Sequence, residues 1–171
     1  MEILDPVDWR ILDALQGDGR ITNAALAARV SLSASACLQR VRRLERIGII
    51  EGYGARIAID RIRASLVVYG EVALKRHLPE DFRAVEQLFA GEPRVLEAAE
   101  ISGRSDYLVK SCVTDMGEWR DMTAAWTAGP WQIEKVSSLV VMHFAKAFAG
   151  YPLTPPASPA RAGHLARAAA R

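Results

Sequence analysis

The stretch from Ser33 to Gly54, SASACLQRVRRLERIGIIEGYG, constrains this chain more than any other. It reads as a short cationic amphipathic helix that stops at a glycine and runs into a β-hairpin. The Ser33 hydroxyl suits an N-cap, where it accepts a bond from an orphan helix N–H. At about 100° per residue, Cys37, Leu38, Val41 and Leu44 gather on one face. Ser35, Gln39, Arg43 and Arg46 gather on the opposite face, with Arg40 and Arg42 on its flanks. Such a front has the chemistry a major groove demands. Gln pairs bidentately with adenine, Arg with guanine or phosphate, and Ser with either kind of partner. A solvated surface helix shares the same pattern, and the residues upstream weigh against that reading.

Asp5-Pro6 is a helix start, an N-cap followed by proline at the first helical position. Val7, Ile11, Leu12 and Leu15 then repeat with helical spacing until Gly17-Asp18-Gly19 stops them. Thr22 caps a second short helix carrying Leu26, Ala27 and Val30, and Val30-Ser31-Leu32 connects it to the Ser33 helix. Three short helices with a tight turn before the last form a helix-turn-helix. Pairing of Ile49-Ile50-Glu51 with Arg56-Ile57-Ala58-Ile59, around Gly52 and Gly54, adds a wing. On this reading Ser35, Gln39 and Arg43 approach base edges. Arg40, Arg42 and Arg46 hold phosphates, with Ser33 at the head of the helix.

Leu4-Asp5, Asp8, Ile11-Leu12, Arg20, LSASACLQRVRRLERIGIIEGY and, much later, ISGRSDYLVK resemble the Lrp/AsnC (feast/famine) transcriptional regulators. The resemblance runs from about Leu4 to Ala147, and its recognition-helix motif is close to the leucine-responsive branch. It implies an α+β chain: a winged helix-turn-helix joined to a small effector domain, often called the RAM domain. It also implies amino-acid effectors and homodimers that assemble further, to an octamer or another even number.

Composition is compatible with these expectations. Half of the 171 residues are hydrophobic, enough for one domain or two small ones. No apolar run approaches the roughly 20 residues that span a bilayer, and the N-terminus shows no secretory pattern. Cys37 and Cys112 are isolated thiols, and His77, His143 and His164 are scattered, so no metal or cofactor is expected. The expected location is cytoplasmic, associated with a bacterial nucleoid. Net charge is only +2. Its distribution says more: residues 1–60 hold eight acids and eight bases, yet Arg40, Arg42, Arg43 and Arg46 cluster with only Glu45 among them. Asp5, Asp8, Asp13 and Asp18 fall on the preceding segments. One such patch binds phosphates modestly, which favours a dimer on double-stranded DNA.

The division expected is a DNA-binding domain over 1–60, a linker over 61–65, an effector and oligomerisation domain over 66–150, and a Pro/Ala/Arg-rich flexible tail over 151–171. Within the second domain, Leu66–Lys75 is a first strand and Pro79–Phe89 a helix. Val95–Ile101 and Tyr107–Val113 are strands, Asp115 caps a helix reaching about Thr127, and Val136–Phe144 is a last strand. That order, βαββαβ, is ferredoxin-like. Its open sheet face calls for a second subunit.

The turn before Tyr107 is the candidate small-molecule site. Gly103 permits close backbone approach, Ser105 adds a hydroxyl, and Asp106 can accept bonds from an ammonium group. In the resembled family this turn helps bind the effector between dimers. Gly103, Asp106 and Tyr107 match its motif, whereas Arg104-Ser105 replaces an acidic and aromatic pair. Asp115 and the strand Leu139-Val140-Val141 fall at effector-response positions of that family. A plain hairpin turn, with Tyr107 in the core, is the competing reading. The tail's Arg161, Arg167 and Arg171 either attract DNA or do nothing, and the latter is favoured. No convergent acid, base and nucleophile set points to an enzyme. The expected function is a sequence-specific regulator responsive to an amino acid, the alternative an effector-independent architectural DNA-binding protein.

Overall fold

The computed structural model describes residues 4–153. The chain forms two compact units. One contains the chain up to Arg56 and its return from Ala147; the other runs from Ile57 to Lys146.

The first unit holds α1 (Pro6–Gly17), α2 (Asn23–Val30) and α3 (Ala34–Arg46). Each begins where local chemistry demands. The Asp5 carboxylate accepts from Val7 N and Asp8 N at 2.8 and 2.9 Å, and Asp8 answers by accepting from Asp5 N. Thr22 and Ser33 cap α2 and α3 as expected, accepting from Ala25 N and Ala36 N. Ser31 closes α2 in the left-handed region at φ 60°, and the chain turns directly into α3. Ile11, Ala14, Leu26, Ala27, Val30, Cys37 and Leu44 form one small core. Leu38, expected on the apolar face, is 37% exposed.

The hairpin expected of Ile49–Glu51 with Arg56–Ile59 does not form a ladder, and residues 51–58 contain no strand. An isolated two-stranded ribbon is marginal in water, and the would-be second strand is divided between the two units at Arg56 and Ile57. Tyr53 instead donates to Glu45 on α3, at 2.9 Å.

The C-terminal return is fastened to α1. The Gln16 amide donates to the Tyr151 carbonyl at 2.7 Å, and the Tyr151 N–H donates to Gln16 Oε1 at 2.9 Å. One side chain thus imitates a strand partner. Gly150 makes this approach with φ 129°, and a Cβ there would collide with the Gln16 side chain. Arg56 donates to the Phe148 carbonyl. Residues 147–153 therefore pack with the DNA-binding unit, whereas the sequence placed a domain end at 150 and a separate tail after it. The rest of the expected tail, with Arg161, Arg167 and Arg171, lies outside the described residues.

The second unit begins with a 3₁₀ turn (Ile59–Arg61). It continues through β1 (Leu66–Leu74), α4 (Pro79–Gly91), β2 (Val95–Glu100), β3 (Tyr107–Val113), α5 (Met116–Ala128) and β4 (Ile133–Val140). The sheet is antiparallel in the order β2-β3-β1-β4, the ferredoxin-like arrangement. Residues alternate along β1, so Val68, Gly70, Val72 and Leu74 are buried while Glu71 and Ala73 belong to the opposite face. Val68, Val72, Val85, Phe89, Tyr107, Val109, Trp119, Met122 and Trp126 anchor the core. Gly70 lets the Trp119 ring lie against β1, since a Cβ there would sit 2.9 Å from Cη2. Trp119 Nε1 then reaches Ser138 Oγ at 2.7 Å. The last strand starts at Ile133, earlier than the expected Val136, and ends at Val140. Trp131 packs on the core just before it.

Candidate DNA-binding face and effector loop

Four residues of α3, Ser35, Gln39, Arg42 and Arg46, follow one another at spacings of four, three and four. That period gives one exposed stripe. Arg42 and Arg46 make no ion pair among the described residues, so both guanidiniums remain available. Ser35 shares a hydrogen bond with the cap hydroxyl of Ser33 at 3.2 Å.

Arg40 and Arg43 are held differently. Arg40 is three residues after buried Cys37 and four before buried Leu44, which turns it toward α1. Its Nη1 donates to Asp5 Oδ2 at 2.6 Å and to Asp8 Oδ1 at 2.9 Å, and Arg43 Nη1 donates to Asp8 Oδ2 at 3.2 Å. Asp8 is 1% exposed. The carboxylates that cap α1 thus also neutralise two arginines of α3. The Asp8 N–H first, and Arg40 with it, hold the Asp5 carboxyl below the usual aspartate range. The same carboxylates raise the Arg40 guanidinium further. This alters the sequence assignment, in which Arg40 gripped phosphate and Arg43 read bases while Asp5 and Asp8 lay apart on another helix. Burial pushes the Cys37 thiol up, in keeping with a packing role.

In the second unit Asp106 is a brace. Its Oδ2 accepts from Leu74 N at 2.7 Å, and its Oδ1 lies 2.9 Å from His77 Nε2. Its backbone N–H donates to Val72 O, and its carbonyl accepts from Ile101 N. The loop is therefore pinned to the end of β1, and the carboxylate expected to receive a ligand's ammonium is already engaged by two donors. Tyr107 points into the core at 2% exposure, its hydroxyl 3.4 Å from Glu86. Burial first, and Glu86 next, raise that phenol above its ordinary value. Asp115 caps α5 by accepting from Glu118 N at 2.9 Å. It lies past the far end of β3 from Asp106, so the two do not converge within one unit.

Gly103, Arg104 and Ser105 form the open part of the loop. Arg104 forks onto Glu71, with Nη2 2.8 Å from both carboxylate oxygens and Nε 3.2 Å from Oε1. Beside this pair lies a cavity of about 360 Å³ whose walls include Ser105, Lys135, Ser137 and Leu139. Glu71, Lys135 and Ser137 escaped the sequence reading. Glu71 carries a signal as the one charged residue of an otherwise apolar β1, whereas Lys135 and Ser137 carry none, because half of β4 (IEKVSSLV) is polar. Among the described residues no His, Cys, Asp and Glu cluster suits a metal, and no helix is long and apolar enough to cross a membrane.

Comparison with known proteins agrees with both units. Residues 4–51 match a family profile described as winged helix-turn-helix DNA-binding, and residues 67–149 match the Lrp/AsnC ligand binding domain. The transcriptional regulatory protein DoeX of Halomonas elongata is 39% identical over 138 residues, covering 81% of this chain and 87% of that protein. The leucine-responsive regulatory protein of Escherichia coli K12 is 43% identical over 119 residues, covering 70% and 73%. Among solved structures, a transcriptional regulator from Neisseria meningitidis in complex with L-Met superposes with a TM-score of 0.81 at 29% identity, covering 88% of this chain and 97% of that one. These relatives are regulators, not enzymes. The chain belongs to the Lrp/AsnC family of transcriptional regulators, with a helix-turn-helix DNA-binding domain and a ligand-binding domain of that family.

Proposed function

We propose that this regulator recognises its operator through Ser35 and Gln39, with Arg42 and Arg46 on the flanking phosphates. Arg40 and Arg43 set the pitch of α3 against α1. The observation that carries this reading is the division of the arginines: two are drawn back onto Asp5 and Asp8, and two are left exposed on the stripe that bears Gln39. One subunit offers few phosphate contacts, so the binding unit is a homodimer on double-stranded DNA, and dimers associate into a larger even assembly. An amino acid bound near the Gly103–Ser105 loop shifts the balance between assemblies, through unequal affinity for them. The protein acts where the chromosome is, in the cytoplasm at the nucleoid.

The test is a salt titration of operator and non-operator binding. Arg42→Ala should flatten the slope of log K against log salt by about 0.9 for each phosphate no longer neutralised. Gln39→Ala should cost about 1–3 kcal/mol on operator DNA and little on random DNA. Unchanged specificity in Gln39→Ala would remove the proposed base reader, and an unchanged slope in Arg42→Ala the phosphate grip.

A further inference from the structure

The cavity beside Arg104 has an unusual charge inventory for a pocket that receives an amino acid. Half-buried Glu71 and exposed Arg104 form an ion pair on one wall. Across the β1–β4 register, Ser137 is the partner of Glu71 and Lys135 the partner of Ala73. Lys135 makes no ion pair among the described residues. Two cations therefore stand against one carboxylate, with the hydroxyls of Ser105 and Ser137 between them. A zwitterionic amino acid satisfies one cation with its carboxylate and one anion with its ammonium. One positive charge is left over, and Lys135 is the group without a partner.

We propose that the effector is an amino acid with a carboxylate in its side chain, received by Lys135 and the neighbouring hydroxyls while Arg104 and Glu71 take the zwitterionic end. This rests on the reading that the Gly103–Ser105 loop borders the effector site. The volume, about 360 Å³, falls in the range of small-molecule sites, roughly 300–1,000 Å³. An aliphatic effector fits the chemistry poorly. It would find only Ala73 and Leu139 as apolar walls, and it would cover the Lys135 ammonium without compensating it. Polar sites reject ligands that leave their groups unpaired far more strongly than apolar sites reject extra polarity. Arg104 also matches a carboxylate geometrically, because its planar fork donates two parallel bonds.

Calorimetric titration of the full-length protein with L-aspartate, L-glutamate, their amides L-asparagine and L-glutamine, and L-leucine, L-methionine and L-lysine tests this. The expected result is binding of an acidic amino acid at least tenfold tighter than its amide. Lys135→Gln should abolish that preference while the variant keeps the assembly size and melting temperature of the unliganded wild type, both read alongside the titration; Lys135 is exposed in the single chain. Tightest binding of leucine or methionine, indifferent to Lys135→Gln, would overturn the acidic class and leave the amino-acid effector standing. Heat from none of the seven, with operator binding intact, would overturn the effector reading itself. An equal response to sodium chloride or sulfate would reduce the site to a general anion trap and overturn the proposal.

Discussion

One arginine–carboxylate cluster of each unit, Asp8 with Arg40 and Arg43 in the first and Glu71 with Arg104 in the second, differs from the other in what surrounds it. In the first, Asp8 is 1% exposed and bonds Arg40 and Arg43, whose side chains are about one-third exposed. In the second, Arg104 grips Glu71 at equally short range, yet the arginine side chain is 80% exposed and the carboxylate, at 17%, is less deeply buried than Asp8. The chemistry is the same and the consequences are not. A buried carboxylate stripped of its partners costs several kcal/mol, whereas an exposed pair is screened by water and salt. The first cluster is therefore part of the scaffold that sets α3 against α1. The second can open to a ligand without threatening the fold.

Removal of the buried member tests this contrast most severely. Asp8→Ala breaks the reciprocal cap of α1 and both bonds to α3, and should lower stability by about 3 kcal/mol, read from denaturant midpoints. A loss below about 1 kcal/mol would erase the distinction. The Asp106 brace should come next: Asp106→Ala leaves Leu74 N without its acceptor, at about 1–2 kcal/mol. Its effect on any ligand should be indirect, through the loop, and a variant of unchanged stability would show that the brace is idle. Asp5 gives a smaller, pH-dependent effect. Its folded-state pKa is depressed, so its charge contributes fully above the unfolded value near 4 and loses that contribution as pH falls through the folded one. Asn caps helices nearly as well as Asp. The stability gap between wild type and Asp5→Asn should therefore be constant above about pH 4 and close below it in a denaturation series. Smallest of all, Arg104→Ala should leave the melting temperature where it was.

The local features of this fold were legible in the sequence because they are decided within a few residues. Asp5, Thr22, Ser33 and Asp115 stand in the sequence as caps, and all four accept the expected helix N–H groups. The order of elements along the second unit, βαββαβ, follows from the succession of strand-like and helical runs. Features joining distant positions were not legible. The bonds of Arg40 to Asp5 and Asp8 span 35 and 32 residues, and no periodicity within α3 shows which acid an arginine meets. The sequence starts β4 three residues late, at Val136, because Glu134-Lys135 interrupts its apolar pattern, although Gly129-Pro130-Trp131-Gln132 has the composition of a turn. Gln132 indeed takes φ 56°, and the strand follows immediately. At the candidate effector site the loop was visible as a motif, but Lys135 and Glu71 meet only once the β1–β4 register is known.

The clasp between Gln16 and Tyr151 gives the order of synthesis a meaning. The partners are 135 residues apart, so when α1 to α3 leave the ribosome their clasp has not yet been made. The entire sheet domain must be translated before the chain returns to fasten the unit that began it. A nascent or truncated chain ending before Ala147 carries every residue of the recognition stripe and lacks the seal on the helix behind it. Completion of the DNA-binding unit thus waits on completion of the sensor, which disfavours a partial product that holds DNA without a ligand-binding domain to govern it.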